Sequence, residues 1–261
     1  MAIYAVSDIH GHYNLFKKGL DTIGFSDDDY LYVVGDAIDR GKDGIRILKH
    51  IMKTPNMDLL LGNHEYMMLN SVDQQGGPLC TGRDIHIWLD YNGGWTTLKE
   101  YLDLSLLSRK RLLGWLRNRF VIKTVEIGSK VFCLSHSYFV ENLMNKRYRY
   151  SDARKVNDVV WESIYREDSR AYRRDPYSKH KCTFVTGHVP VQYAREELGK
   201  RRWPSGLGAL WNKNMVDIDG GCSYGEDFYE GYPESENGLI FLRLDDLKEY
   251  IVRFEPLKEK E

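Results

Sequence analysis

The 261-residue chain has four cysteines, Cys80, Cys133, Cys182 and Cys222, and no two of them form a CxxC pair. That excludes a zinc knuckle and a disulfide framework and leaves reduced, mostly buried thiols as the expectation. No apolar run is long enough to cross a bilayer, so no membrane is expected as a partner. The opening MAIYAVSDIHGHY lacks the basic start and apolar stretch of a signal peptide, and the cytoplasm is the expected compartment. There is no low-complexity tract and no internal repeat. A net charge of -1 offers no general field for a nucleic-acid duplex.

What remains is an ordinary globular composition, 42% hydrophobic and 29% charged, which excludes disordered and fibrous classes. AIYAV, YLYVV and MDLLL, starting at residues 2, 30 and 57, read as buried strands that each end in polar residues. Between them, YNLFKKGLDTIGF has the apolar spacing of a helix stopped by Gly24, and GIRILKHIMK reads as a helix broken at Thr54-Pro55. Helical patterns continue to about residue 118. After residue 119, FVIKTVEI and KVFCLSH predict an antiparallel hairpin around Gly128-Ser129, and CTFVTGHVP, NMVDIDGG and NGLIFLRLDDLKEYIVRF continue in β fashion. The expected fold is α/β (α+β): a central two-sheet β-sandwich flanked by helices. One domain over residues 1–261 is expected, with a helical insertion at about 70–118 and a variable basic segment at about 143–181.

The strand ends read SDIHGH, GDAIDRG, GNHE, LSHS and TGHVP. They supply Asp8, His10, Asp36, Asn63, His136 and His188, oxygen and imidazole donors with no thiolate. Such a set suits two divalent ions such as manganese, iron or zinc better than a structural zinc site. Asp8 and His10 can turn toward one ion, Asp36 can bridge it to a second, and Asn63, His136 and His188 can complete the second. Two ions about 3.5 to 4 Å apart can hold a phosphoryl group and activate a water. Gly11, Gly35, Gly41 and Gly62 flank these ligands where the loops must turn sharply. His12, His50, His86 and His180 are read as structural or surface residues, and Glu65 as a helix-start carboxylate.

SDIHGH, GDAIDRG and GNHE resemble the three signature blocks of the phosphoprotein phosphatase branch of calcineurin-like metallophosphoesterases. The likeness is to bacterial and phage serine/threonine phosphatases and to symmetrical diadenosine tetraphosphatases. LDTIGF, GNHEYMM, YNGGW, TGHVP and DIDGG also have counterparts there, so the similarity runs from about residue 3 to 245. It implies two metals, manganese first and iron or zinc as alternatives, at the rim of the β-sandwich. It also implies phosphomonoester hydrolysis by a metal-bridging water or hydroxide, without a phosphoenzyme. Asp8, His10 and Asp36 fall on the ligands of one metal, and Asp36, Asn63, His136 and His188 on those of the other. His64 falls on the general acid, Asp39 on the carboxylate that orients it, and Arg40 on the phosphate-binding arginine.

Two places depart from the family pattern. SHSYF puts Ser137 and Tyr138 where small residues or glycines follow the histidine, and VVWESIYRED puts Glu162 and Ser163 where a second phosphate-gripping arginine is usual. Arg166, a turn later, is the candidate replacement. The leading expectation is a serine/threonine protein phosphatase or broad phosphomonoesterase acting on a phosphorylated substrate. The alternatives are a symmetrical dinucleoside polyphosphate hydrolase, a non-catalytic scaffold and a nuclease. The scaffold is disfavoured by the presence of His64, Asp39 and Arg40 together.

Overall fold

In the computed structural model, residues 1–79, 84–149, 152–163, 165, 180–198, 207–225 and 237–254 are described. β1 (Ile3–Val6) and β2 (Tyr30–Val33) pair in parallel, Ile3 opposite Tyr30, and β3 (Met57–Leu59) extends the sheet in parallel from β2. Parallel neighbours need a crossover, and two amphipathic helices supply it. They are α1 (Tyr13–Ile23) and α2 (Gly44–Lys53). Leu15, Phe16, Leu20 and Ile23 form the buried stripe of α1. Full burial of a side chain such as Phe16 is worth about 1.5–3 kcal/mol. Gly24 ends the helix in a left-handed conformation, with its N–H returned to the carbonyls of Leu20 and Asp21.

A helical layer follows: α3 (Asn63–Ser71), α4 (Asp84–His86, continued by a π-helical turn over Ile87–Tyr91), α5 (Trp95–Leu102) and α6 (Leu106–Arg117). Ser105 caps α6, its Oγ accepting from the Ser108 N–H. β4 (Ile122–Ile127) and β5 (Lys130–Ser135) make the expected hairpin, Ile127 opposite Lys130. Then come α7 (Ala153–Trp161), β6 (Thr183–Thr186), α8 (Val191–Glu197), β7 (Leu210–Asn212), β8 (Met215–Asp217), β9 (Gly238–Arg243) and β10 (Lys248–Arg253).

Among the described residues the strands form two five-stranded sheets, β10-β9-β1-β2-β3 and β4-β5-β6-β8-β7. The last hairpin therefore joins the first sheet, Tyr4 pairing with Arg243, and does not extend the strand-rich second half in which its sequence lies. One core cluster draws on both sheets, including Val6, Leu31 and Val33 from one and Phe184, Val185 and Val216 from the other. Within each sheet three neighbours run parallel: β1, β2 and β3, and β5, β6 and β8. Their carboxyl ends meet where the His188 N–H donates to Asp8 Oδ2 at 3.0 Å and the Gly187 N–H to the His136 carbonyl at 2.8 Å.

Candidate active site

The loops leaving these strands turn abruptly. Asp8, His10, Asp36, Asp39, Arg40 and His188 all have left-handed backbone, with φ between 47° and 76°. A non-glycine residue there costs about 1–3 kcal/mol and persists only when its surroundings enforce it. Here the loops enforce one another. The His10 N–H donates to the Asp36 carbonyl at 3.0 Å, Gly11 to Ala37 at 3.0 Å, and Gly41 to His10 at 2.9 Å.

Glu65 stands in the first turn of α3, as expected, and does more than sit at a helix start. Its Oε2 accepts from the Asp36 N–H at 2.9 Å and the Gly62 N–H at 3.0 Å, and its Oε1 from the Ala37 N–H at 2.8 Å. One buried carboxylate thus ties the β2 loop to the β3 loop. Burial and the neighbouring Asp36 push its pKa up to about 7, against the three N–H donors. Gly62 admits this close packing: a Cβ there would lie 2.0 Å from Asp36 Oδ1.

Asp36 is the meeting point of the cluster. Its Oδ1 accepts the His64 N–H at 3.0 Å. Its Oδ2 faces His136 Nε2 at 3.3 Å, His64 Nε2 at 3.7 Å and His10 Nε2 at 3.8 Å. Among the described residues, two triads have ligand atoms within 4.8 Å of one another, His10 with Asp36 and His64, and Asp36 with His136 and His188. Asn63 belongs to the second, since its Oδ1 is 2.9 Å from His136 Nε2 and 3.1 Å from His188 Nδ1. Asp8 sits beside the first. Its Oδ2 is taken by the Ser7 hydroxyl and the His188 N–H, and its Oδ1 faces His10 Nε2 at 3.8 Å.

Tautomers follow from the partners. His10 Nδ1 lies 3.1 Å from the Ile38 carbonyl and His136 Nδ1 2.9 Å from the Val34 carbonyl. A carbonyl only accepts, so each Nδ1 carries the proton and each Nε2 turns inward. Burial opposes charge on His136, but Asp36, and then Asp8, push its pKa up to about 10. Burial and the positive side of His64 hold His10 well below the usual imidazole range. Despite burial, His136, His64 and His10 hold Asp36 well below the usual carboxylate range. Inward-facing imidazole nitrogens around a buried, ionised carboxylate and an amide oxygen are a donor set that fits divalent cations.

Beside this cluster His64 Nδ1 meets Asp39 Oδ2 at 2.6 Å. Burial works against a charged His64, and Asp36 and Asp39 outweigh it, so its pKa is raised. Arg40, next in the chain, is exposed, and its positive charge acts on both His10 and His64. All nine residues expected from the sequence therefore gather at one rim. His12 packs on Phe254, His50 bonds Tyr13, His86 bonds Asp90 and His180 lies between Phe139 and Phe184, away from the cluster.

Reading the sequence did not single out three residues at this rim. Trp88 Nε1 donates to Asp39 Oδ2 at 2.8 Å, and Thr97 Oγ1 accepts the Asp39 N–H at 2.9 Å. Asp219, just past β8, is buried and acts electrostatically on Asp8; burial and Asp217 push its pKa up to about 8. The first two lie in the helical layer on either side of YNGGW, outside the motif itself, whereas Asp219 is the second acid of DIDGG. The departures from the family pattern have a structural setting. The Ser137 hydroxyl donates to the Glu162 carbonyl and the Tyr138 N–H to the Val159 carbonyl, so SHSYF anchors the end of α7. Trp161 at that end stands edge-on to His188, ring centroids 5.8 Å apart. It also lines a recess of about 400 Å³ with Tyr66, Asn70 and Ile87. Arg166, the candidate replacement arginine, lies outside the described residues, as do the basic stretch GKRRW at 199–203 and most of the acidic, tyrosine-containing stretch 224–237 that follows DIDGG.

Comparison with known proteins places this arrangement. The model of the calcineurin-like phosphoesterase family matches residues 1–218. The chain is 30% identical over 195 residues to serine/threonine-protein phosphatase 2 of Salmonella typhimurium, covering 73% of this chain and 81% of that one. It is 32% identical over 231 residues to the symmetrical bis(5'-nucleosyl)-tetraphosphatase of Nitrosomonas europaea, covering 86% and 72%. In fold it resembles a solved serine/threonine phosphatase from Saccharomyces cerevisiae, with a TM-score of 0.52 at 13% identity, covering 100% of this chain and 82% of that one.

Proposed function

The chain belongs to the calcineurin-like phosphoesterases and is a phosphoester hydrolase, and from that premise we propose that it is a serine/threonine protein phosphatase or broad phosphomonoesterase. The observation that carries this reading is the buried His64–Asp39 pair, 2.6 Å apart, beside the exposed Arg40. An alkoxide is a poor leaving group and needs a proton as it departs; a nucleotide phosphate leaving from an anhydride needs it far less. A general acid of this kind contributes roughly 100- to 10,000-fold.

In this reading Asp8, His10, Asp36, Asn63, His136 and His188 hold two divalent cations, manganese in preference to iron or zinc. When bound, such ions polarise phosphoryl oxygens and make water nucleophilic near neutral pH. Arg40 grips two non-bridging oxygens with paired donors, which a lysine cannot do. Asp39 fixes the His64 ring through Nδ1, so that Nε2 presents its proton to the leaving oxygen. The recess lined by Tyr66, Asn70, Ile87 and Trp161 receives the body of the substrate. A cytoplasmic setting belongs to the same proposal.

The second reading, a symmetrical dinucleoside polyphosphatase, is favoured by the longer match to the Nitrosomonas relative. Purified protein supplied with manganese and assayed in parallel on an aryl phosphate, a phosphoserine peptide and diadenosine tetraphosphate separates the two. Turnover of the aryl phosphate and the peptide is expected. Faster turnover of diadenosine tetraphosphate than of either would move the assignment to the second reading. No turnover of any substrate, with metal confirmed bound, would overturn both.

A further inference from the structure

The stretch from Trp88 to Thr97, which contains YNGGW, holds the Asp39-Arg40 dipeptide from three directions. The Asp39 N–H donates to Thr97 Oγ1 at 2.9 Å, the Arg40 N–H to the Gly93 carbonyl at 3.2 Å, and Trp88 Nε1 to Asp39 Oδ2 at 2.8 Å. Both residues of the dipeptide are left-handed, at φ 71° and 64°, so these bonds bear on a conformation that would otherwise relax.

Bonding at the Asp39 carboxylate is lopsided. Oδ2 accepts from both His64 Nδ1 and Trp88 Nε1, while the buried Oδ1 has no hydrogen-bond partner among the described residues. An indole N–H donates only and does not titrate. With Oδ2 held from two sides, the carboxylate has one orientation, and the ring it fixes has one as well. Without the indole, Asp39 could turn either oxygen toward Nδ1, and the His64 ring would follow.

Gly94 accounts for the placement of the indole. Its φ of -68° is open to any residue, but a Cβ there would lie 2.6 Å from Trp88 Nε1. Its N–H donates to the Trp88 carbonyl at 3.0 Å. Space for the indole, not backbone freedom, is what this position requires.

We propose that Trp88 is a positioning residue for proton transfer: it locks Asp39 Oδ2 against His64 Nδ1, so that His64 Nε2 stays aimed at the leaving oxygen. The role rests on the phosphomonoesterase reading. As the phosphorus–oxygen bond breaks, its electron pair goes to the leaving oxygen, and that oxygen takes the Nε2 proton. The proton on Nδ1 stays on the ring, donated to Asp39 Oδ2, and the oxygen of the attacking water forms the new bond to phosphorus.

Trp88→Phe keeps an aromatic body and removes the N–H; Gly94→Ala leaves the indole intact and pushes on its nitrogen. Both are assayed with saturating manganese on a phosphoserine peptide and on p-nitrophenyl phosphate. The peptide, whose alkoxide needs the proton, should lose about tenfold or more in kcat, and the nitrophenyl ester, whose phenolate leaves unaided, less than about threefold. In isotope-labelled protein the Trp88 indole N–H resonance should exchange slowly and should move in Asp39→Asn. Equal losses on both substrates, no loss on either, or an indole resonance indifferent to Asp39→Asn would each overturn the proposal. An indole that responds to Asp39→Asn in a protein that hydrolyses neither substrate would overturn the phosphomonoesterase reading, and this role with it, while leaving the Trp88–Asp39 bond standing.

Discussion

The first sheet ends in groups: Asp8 with His10 after β1, Asp36 with Asp39 and Arg40 after β2, and Asn63 with His64 after β3. The second sheet ends in single residues, His136 after β5, His188 after β6 and Asp219 after β8. In the proposed function the first rim combines cation donors with a proton donor and a guanidinium, all within short loops that brace one another. The second brings two imidazoles and a carboxylate across to Asp36, Asn63 and Asp8. Ligands can come from distant strands, because a cation gathers them. A proton donor and its orienting acid must be fixed by the protein alone, and here Asp39 and His64 arise from neighbouring strand ends and meet at 2.6 Å.

The largest expected effect tests this division directly. His64→Asn should cut turnover of a phosphoserine peptide by roughly 100- to 10,000-fold with both metals retained, whereas His188→Ala should lower the occupancy of one metal. Metal analysis alongside kcat checks both, and a His64→Asn protein that came out metal-free would erase the distinction between the rims. A middle-sized effect concerns the second rim. Folded, Asp219 keeps its proton to about pH 8, while an ordinary aspartate releases it near 3.8. Its stabilising contribution is full below about 3.8 and is lost as pH rises through 8. Metal-free protein should therefore show a falling urea midpoint from about pH 4 to pH 8, and Asp219→Asn should flatten that fall. A midpoint that rises with pH instead would mean Asp219 is ionised in the folded protein. The smallest effect serves as a control remote from either rim. Gly114 lies exposed in α6 with open space where a Cβ would go. Gly114→Ala should raise stability by about 0.5–1 kcal/mol, read as a higher melting temperature at unchanged kcat.

The same contrast governs what the sequence discloses. The first rim is legible because its groups are local: DxH, GDAIDRG and GNHE place several polar side chains at a strand end within a few residues. α1, α2 and the β4–β5 hairpin are legible for the same reason, since helical spacing, Gly24 and Gly128-Ser129 act over one or two turns. His136 and His188 are isolated, and only their place at strand ends, in LSHS and TGHVP, separates them from His180 and His50. The attachment of β9 to β1 has no local signal, because alternation tells a strand its faces and not its neighbour. Trp88 meets Asp39 across 49 residues from within the helical layer, where an indole reads as core packing. Glu65 was half legible: its place at a helix start is local, but its reach to the Asp36 and Ala37 N–H groups depends on how β2 and β3 align.

The left-handed residues of the rim carry a consequence for sequence choice. Among non-glycine residues, aspartate, asparagine and histidine pay least for that conformation, because their short polar side chains can bond the backbone nearby. These are also residues whose oxygens and nitrogens bind divalent cations. At Asp8, His10, Asp36 and His188 the backbone and the chemistry draw on one short alphabet, so a tight turn and a ligand can be specified by a single letter. Arg40 is the exception: its side chain brings charge but no conformational advantage, and its backbone depends on the carbonyl of Gly93 to stay in place.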